Sequence, residues 1–425
     1  MKSKLTTWIF VAMLGGIGVG WMCHELLPSP EIAKTVSGYI SLVTDVFLRL
    51  IKMIIAPLVF STLVVGIAHM GDTKAIGRIG VKTMAWFITA SLFSLLLGLF
   101  LVNLLQPGAS LNLPLPDVNA SSNLKTSSLS LREFVTHLVP RSVFEAMANN
   151  EILQIVIFSV FFGAAGASLG PRAKVVIDWV EQVSHIMLKV TGYVMALAPI
   201  AVFAAMAATV TTQGLGILVT YGKFMGEFYL GILLLWGLLA CAGFAFLGPR
   251  VGRLINLIKE PILLAFSTAS SEAAYPKTLE QLERFGASKK ITSFVLPLGY
   301  SFNLDGSMMY CTFATLFIAQ AYKVPLDLGQ QLTMLLILMV TSKGMAGVPR
   351  ASLVVIAATL ATFNIPEAGL LLIMGIDQFL DMGRSATNVV GNSLATAVVA
   401  KWEGELEPES QAQAEIDADE GLAPA

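Results

Sequence analysis

The apolar stretches of this chain are longer and more evenly apolar than a water-soluble core uses. They run over about 7–27, 39–70, 79–105, 150–169, 185–211, 219–247, 291–322, 330–363 and 369–400, with a further apolar patch near 254–267. A spanning helix needs about 20 apolar residues, and a barrel strand about 10 in strict alternation. These runs do not alternate, and a helix satisfies its own backbone in lipid. The expected fold is an all-α polytopic membrane protein. Composition agrees: 55% hydrophobic and 13% charged residues lie outside the soluble range. The net charge of -1 identifies no partner; lipid is the expected surrounding, and nucleic acid is not an expected ligand.

Cys23, Cys241 and Cys311 stand singly in apolar stretches with no CxxC pair, so neither a disulfide framework nor a zinc site is suggested. The N-terminus, MKSKLTTWIFVAMLGGIGVGW, has the lysines and apolar stretch of a signal peptide but no A-x-A-like site, and reads as a retained first helix. The 39–70 run is too long for one perpendicular span, and Asp45, Arg49 and Lys52 suggest a tilted helix with one interfacial end. Ala198-Pro199 should break 185–211 in two. Basic clusters at Lys2/Lys4, Lys74/Arg78/Lys82, Arg172/Lys174, Arg250/Arg253/Lys259 and Lys289/Lys290 place the N-terminus and those loops in the cytoplasm. The Glu/Asp/Ala-rich tail from Glu403 reads as solvated and disordered.

Two stretches, 254–286 and 332–363, share one plan: an apolar arm, a tip of small residues, a proline and a second arm. Such re-entrant hairpins are tolerated in a membrane only where the tip is buried in protein or faces an aqueous cavity. A matched pair of interrupted segments points to a transporter's substrate site. Between them, SFNLDGS at 301–307 gathers poor helix formers inside good apolar helix, so an unwound stretch is expected there. Freed carbonyls and the Asp305 carboxylate suit a small cation.

Within 369–400, Asp377, Asp381, Arg384, Asn388 and Asn392 fall on one helical stripe. An intramembrane charge costs about 2.5–3.5 kcal/mol on the insertion scale, so this stripe must face a cavity or close on itself. Asp381 and Arg384 either pair as a buried salt bridge or act as a zwitterion receptor, with Arg384 taking a carboxylate and Asp381 an ammonium. The receptor reading expects the two charges to be held apart. Ser270, Ser271, Ser307 and the backbone at Gly347 and Val348 are candidates for a second carboxylate.

From DVFLRLIKMIIAPLVFSTLVVG at 45–66 to DMGRSATNVVGNSLATAVVAKWEG at 381–404, the chain resembles the glutamate/aspartate and dicarboxylate transporters, the dicarboxylate/amino acid:cation symporters. NLDGS (303–307) resembles that family's N-M-D-G-T, and AGVP (346–349) and SSEAAYP (270–276) are similar to its two hairpin tips. The resemblance implies a homotrimer in the bacterial inner membrane, with both termini cytoplasmic, eight transmembrane helices plus two re-entrant hairpins per subunit, and an elevator-type transporter fold. It implies scaffold parts at 1–72 and 109–217, transport-domain parts at 73–108 and 218–402, and a tail at 403–425. By motif it implies substrate contacts at Ser271, Ser307, Asp381, Arg384, Ser385 and Asn388, with Val348 at the gate. The implied cation-coupling positions are Gly299, Ser301, Asn303, Asp305, Ser342, Asn388 and Asn392. Arg384 selects an acidic side chain in that family, and Asp381 receives an amino group. Import of glutamate or aspartate is therefore expected ahead of C4-dicarboxylates.

Three departures bear on the coupling ion. Asn392 stands where sodium-coupled members have an aspartate, Phe87 and Ala90 stand where the third helix supplies a tyrosine and a threonine, and Met345 replaces a hydroxyl residue. Losing hard oxygen ligands weakens a sodium site, so the coupling cation is expected to be a proton, with sodium the alternative. Asp305, Asp381, Glu272 and Glu227 are the candidate proton carriers. Arg350 is a further departure, read as snorkelling to the outer surface. An enzyme is disfavoured: GASLG at 166–170 matches G-x-S-x-G without the strand-to-helix elbow, and His24, His69, His137 and His185 lie far apart. An anion channel is the competing class, which saturable uptake and counterflow would separate from a carrier.

Overall fold

The computed structural model describes residues 3–68, 73–109, 136, 139–215, 221–342, 351–374 and 376–408. Almost all of it is helical. The helices are α1 (Ser3–Leu26), α2 (Pro30–Ala68), α3 (Thr73–Leu105), α4 (Val143–Ala148), α5 (Ile152–Leu169), α6 (Lys174–Met195), α7 (Ala198–Gln213) and α8 (Gly222–Leu247). They continue as α9 (Arg250–Thr268), α10 (Tyr275–Phe285), α11 (Lys289–Phe302), α12 (Asp305–Ala321), α13 (Leu328–Thr341), α14 (Ala351–Thr362), α15 (Leu370–Met374) and α16 (Asp377–Glu403).

α2 has 39 residues and is about 58 Å long at 1.5 Å per residue, well beyond a hydrocarbon core of about 30 Å. Its buried stripe, Phe47, Ile51, Ile54, Ile55 and Leu58, recurs at helical spacing. α2 packs against α5, α6 and α7, and α1 lies along α7. Phe60 of α2 stacks on Phe158 and meets Phe162 edge-on, at ring centroid distances of 6.1 and 5.7 Å. As expected, Pro199 opens α7 just past the end of α6.

A second group packs around α16, which touches α8, α9, α11 and α12. From Met382 to Ala400 every α16 residue is buried, polar stripe and apolar stripe alike. A helix covered on all sides can carry polar groups only if neighbouring elements supply their partners. α12 is buried to the same degree from Asp305 to Ala319.

The first hairpin is α9 and α10. α9 ends where Ala269 takes a left-handed conformation (φ 49), Ser270 and Ser271 follow, a short turn covers Glu272–Ala274, and Pro276 opens α10. A buried ion pair ties the arms together: Lys277 Nζ lies 3.5 Å from Glu260 Oε1 across the hairpin and 3.0 Å from Glu280 Oε2. α13 and α14 are the arms of the second hairpin, 14 and 12 residues long. At about 21 and 18 Å neither spans a bilayer alone. Its tip, with Met345, Gly347, Val348 and Arg350, lies outside the described residues.

Two expectations are corrected. The break at 301–307 shrinks to Asn303 and Leu304, with Ser301 still in the last turn of α11 and Asp305 already in α12. The helix resumes at once because Asp305, an acid in its first turn, complements the exposed amides there. The chain from Glu403 is also not simply solvated. Glu403 bridges Arg78 and Lys82 at 2.7 Å each, Ser288 N donates to Glu405 O at 3.0 Å and Glu407 N to Gly286 O at 2.9 Å. Arg250 Nη2 donates to Glu407 O at 2.9 Å, and Lys290 Nζ pairs with Glu405 at 2.6 Å. Acidic residues here meet the basic ends of α3, α9 and α11, so residues 403–408 form a strap over them; 409–425 lie outside the described residues.

Hydrogen bonding from Arg78, with Lys82 beside it, holds the Glu403 carboxyl below its ordinary range. A depressed carboxylate stabilises the fold above its unfolded pKa, and that contribution disappears as pH falls through the folded value. Glu403→Gln is expected to cost about 1 kcal/mol at neutral pH, since the Arg and Lys partners are partly solvated. Thermal unfolding of purified protein should show a difference between variant and wild type that shrinks on acidification.

Candidate functional site

A cavity of about 500 Å³ opens between α2 and α7 on one side and the first hairpin tip, α12 and α16 on the other. Ser270, Ser271, Ser307, Asp381, Arg384, Ser385 and Asn388 all line it. Gly347 and Val348, from the same expected set, fall outside the described residues. Asp45 and Lys52 of α2 line the cavity as well, a place that their reading from the sequence did not include.

Arg384 is 1% exposed at the cavity wall. Its guanidinium lies 4.1 Å above the Tyr310 ring, its Nη1 is 3.3 Å from Asp377 Oδ1, and Tyr310 donates its hydroxyl to the same oxygen at 3.1 Å. Asp381 Oδ1 accepts from Arg384 Nε at 3.2 Å and lies 2.9 Å from Nη2. The expectation that the two charges are held apart is therefore wrong: they are closed on each other. Residues three apart on a helix are neighbours, and a buried guanidinium left without a carboxylate costs several kcal/mol. The pair does not face lipid. Asp381 keeps 23% of its side chain exposed and, with Arg384, borders the cavity, within reach of a guest.

Asp377, Asp381 and Arg384 together carry two carboxylates to one guanidinium. In ionised form this cluster is one positive charge short. Tyr310 and Asp377 were not among the expected site residues. A signal was available for both: Tyr310 lies three residues beyond Ser307, and Asp377 opens the polar stripe of α16.

Behind the cavity wall a second cluster surrounds Asp305, whose side chain is fully buried. Asn303 Nδ2 donates to Asp305 Oδ2 at 3.1 Å and to Asn392 Oδ1 at 3.2 Å. The Ser94 hydroxyl lies 3.3 Å from Asp305 Oδ1. Gly391 and Gly299 permit this closeness, since a Cβ at Gly391 would run into Asp305 Oδ2 and one at Gly299 into Asn392 Oδ1. Asn388 joins the two clusters: its Oδ1 accepts from Gly306 N at 3.0 Å and its Nδ2 donates to Ser307 Oγ at 3.3 Å.

Of the expected cation-coupling residues, the structure brings Gly299, Asn303, Asp305, Asn388 and Asn392 together. Ser301 takes no part in these hydrogen bonds. Ser342 ends α13, where its hydroxyl donates to Met339 O at 3.3 Å. Ser94 was missed, although it lies on the α3 stripe of Phe87 and Ala90, four residues beyond the latter. Phe87 and Ala90 are both buried. The Asp305 cluster offers carboxylate, amide and hydroxyl oxygens as ligands beside two amide nitrogens, and Asn303 Oδ1 and Asn392 Nδ2 are buried without a hydrogen-bond partner among the described residues. Such a set fits a small hard cation or a proton. Ser168 of the G-x-S-x-G match donates to Ala165 O at 2.8 Å, on an exposed helix end.

Comparison with known proteins supplies the context for this geometry. The chain is 39% identical over 419 residues to the proton/sodium-glutamate symport protein of Bacillus subtilis (strain 168), covering 96% of this chain and 95% of that protein. It is 44% identical over 416 residues to the C4-dicarboxylate transport protein of Laribacter hongkongensis (strain HLHK9), covering 97% and 93%. It is 41% identical over 421 residues to the C4-dicarboxylate transport protein of Paracidovorax citrulli (strain AAC00-1), covering 97% and 91%. Residues 5–402 match the sodium:dicarboxylate symporter family. With several helices long and apolar enough to cross a membrane, the chain is an integral membrane protein, and it belongs to the sodium:dicarboxylate symporter family.

Proposed function

We propose that this protein is a secondary active symporter that imports acidic amino acids, glutamate or aspartate, across a bacterial plasma membrane, coupled to protons rather than to sodium. It works as a homotrimer in which α3 and α8–α16 move against α1, α2 and α4–α7. The observation that carries the substrate reading is the charge count at α16: two carboxylates, Asp377 and Asp381, share Arg384. A guest with an ammonium group supplies the positive charge that this cluster lacks.

Binding is an exchange of partners. The side-chain carboxylate of the substrate takes the Arg384 edge now held by Asp381, and the substrate ammonium takes Asp381. Asp377 and the Tyr310 ring keep the guanidinium in place throughout. Arg384 keeps a carboxylate partner at every stage, which avoids the penalty for an unpaired buried guanidinium. Ser271, Ser307, Ser385 and Asn388 supply hydroxyl and amide donors to the second carboxylate. Asp305, Asn303 and Asn392 would hold the coupling cation, whose charge offsets that of the anionic guest. Asn388 touches the backbone of Gly306 and the hydroxyl of Ser307, and so couples that cluster to the substrate wall. An anionic amino acid entering against 100 mV costs about 2.3 kcal/mol, which one cation cancels; accumulation is helped by a second.

A C4-dicarboxylate:cation symporter is the second reading. What favours it is the closed Asp381–Arg384 pair, which leaves Asp381 with no need of an ammonium. Asp381→Ser distinguishes the two. The variant is expected to lose about tenfold or more in apparent affinity for aspartate, and far less for succinate, because only the amino acid uses that carboxylate. Uptake of labelled aspartate, glutamate and succinate by reconstituted vesicles, under separately imposed proton and sodium gradients, tests the whole reading. Uptake driven by sodium alone, with no response to pH, would reverse the choice of cation. Conductance without saturation or counterflow would indicate an anion channel.

A further inference from the structure

The site described so far leaves two cavity carboxylates unused, Asp45 and Glu272. Glu272 sits in the short turn Glu272–Ala274 at the first hairpin tip and lines the same cavity as Arg384. That turn packs directly against α2. Lys52 of α2, also in the cavity lining, is the charged side chain whose field acts on the Glu272 carboxyl. The other ionisable groups around the cavity are Asp45 from α2, Tyr300 from α11, and Asp381 and Arg384 from α16. Arg384 is taken by the α16 carboxylates, so Lys52 is the cation left to face Glu272.

We propose that Glu272 carries a second coupling proton, beside the cation held at Asp305, and that its ionised carboxylate binds Lys52 as a latch between the hairpin tip and α2. This inference rests on the symporter reading above and adds to it a residue and a reason for coupling. With Glu272 ionised, attraction to Lys52 within the shared cavity holds hairpin and α2 together. A proton from the external water, bound to a carboxyl oxygen of Glu272, removes the charge and with it the attraction. The hairpin is then free to slide along α2 with its guest. The proton leaves to the internal water once the carboxyl is exposed there, and only an O–H bond forms and breaks. The arrangement ties movement to protonation, because the tip that lines the substrate cavity is the tip that is latched.

The test is Glu272→Gln and Lys52→Gln in reconstituted vesicles, each measured for proton-driven net uptake and for exchange of labelled substrate at equal pH on both sides. Glu272→Gln, permanently uncharged, is expected to keep exchange within about threefold while losing at least tenfold of the stimulation by an inward proton gradient. Lys52→Gln leaves the acid in place and removes its partner. Its uptake is expected to continue to a more alkaline pH, since the neutral carboxyl is no longer disfavoured by a neighbouring cation. Full proton stimulation in Glu272→Gln, or an unmoved pH profile in Lys52→Gln, overturns the inference while leaving the symporter reading intact. A wild-type protein with no proton response overturns both. Should Glu272→Gln fail to reach the membrane, the Lys52→Gln profile decides the matter alone.

Discussion

Replacing Arg384 by cysteine is expected to abolish uptake of acidic substrates, with a loss of affinity of at least a hundredfold. Two costs add. The guest loses the planar donor edge for its side-chain carboxylate, a charge-assisted interaction of about 1.5–3 kcal/mol. Asp377 and Asp381 are left facing each other without the cation that lies 3.3 and 2.9 Å from them, and breaking a buried pair costs about 3–5 kcal/mol. The second cost is partly relieved when one of the acids takes up a proton, so the variant can still fold. Transport of a neutral amino acid by Arg384→Cys, with acidic uptake gone, would show that the guanidinium sets selectivity. Normal affinity for aspartate or succinate in that variant would remove Arg384 from the substrate site.

The second large effect is expected at Asp305. Asp305→Asn preserves shape but replaces an acceptor-only carboxylate by an amide. The new amide oxygen can still accept from Asn303 Nδ2, and the new NH₂ group can donate to the Ser94 hydroxyl, which already donates to Ala90 O, so the hydrogen bonds survive. What the cluster loses is the one charge with which it could attract a cation. Net uptake under an imposed ion gradient is expected to fall at least fiftyfold. Asn388→Ala, measured beside it, should weaken substrate binding and cation dependence together, because that side chain reaches Gly306 and Ser307 at once. Uptake by Asp305→Asn at the wild-type rate and with the same ion dependence would show that coupling lies elsewhere.

Several of these residues could be found in the sequence because membrane chemistry makes polar residues conspicuous. Asp381, Arg384, Asn388 and Asn392 stand out in an apolar run at helical spacing, and Asp305 stands out beside glycine and asparagine. The hairpins were legible because Pro276 and the tip serines interrupt apolar arms too short to span. Other parts were not. Ser94 and Tyr310 look like ordinary helix residues until α3 and α12 pack against their partners. The mid-helix charges of α2 gave no sign of a cavity rather than an interface. The strap at 403–408 is acidic enough to read as solvated, and only the basic ends of α3, α9 and α11 beside it give it a place.

The sequence by itself determined the class of fold, the two interrupted hairpins and the polar stripe of the last helix. These follow from local rules: backbone groups must be paired in lipid, and charges must avoid it. Only the tertiary structure decided that Arg384 closes on both Asp377 and Asp381, that Tyr310 supports it, and that Glu272 and Lys52 share one cavity. Those facts depend on which faces of separate helices meet, and a buried ion takes the nearest partner that packing offers, wherever it lies in the chain.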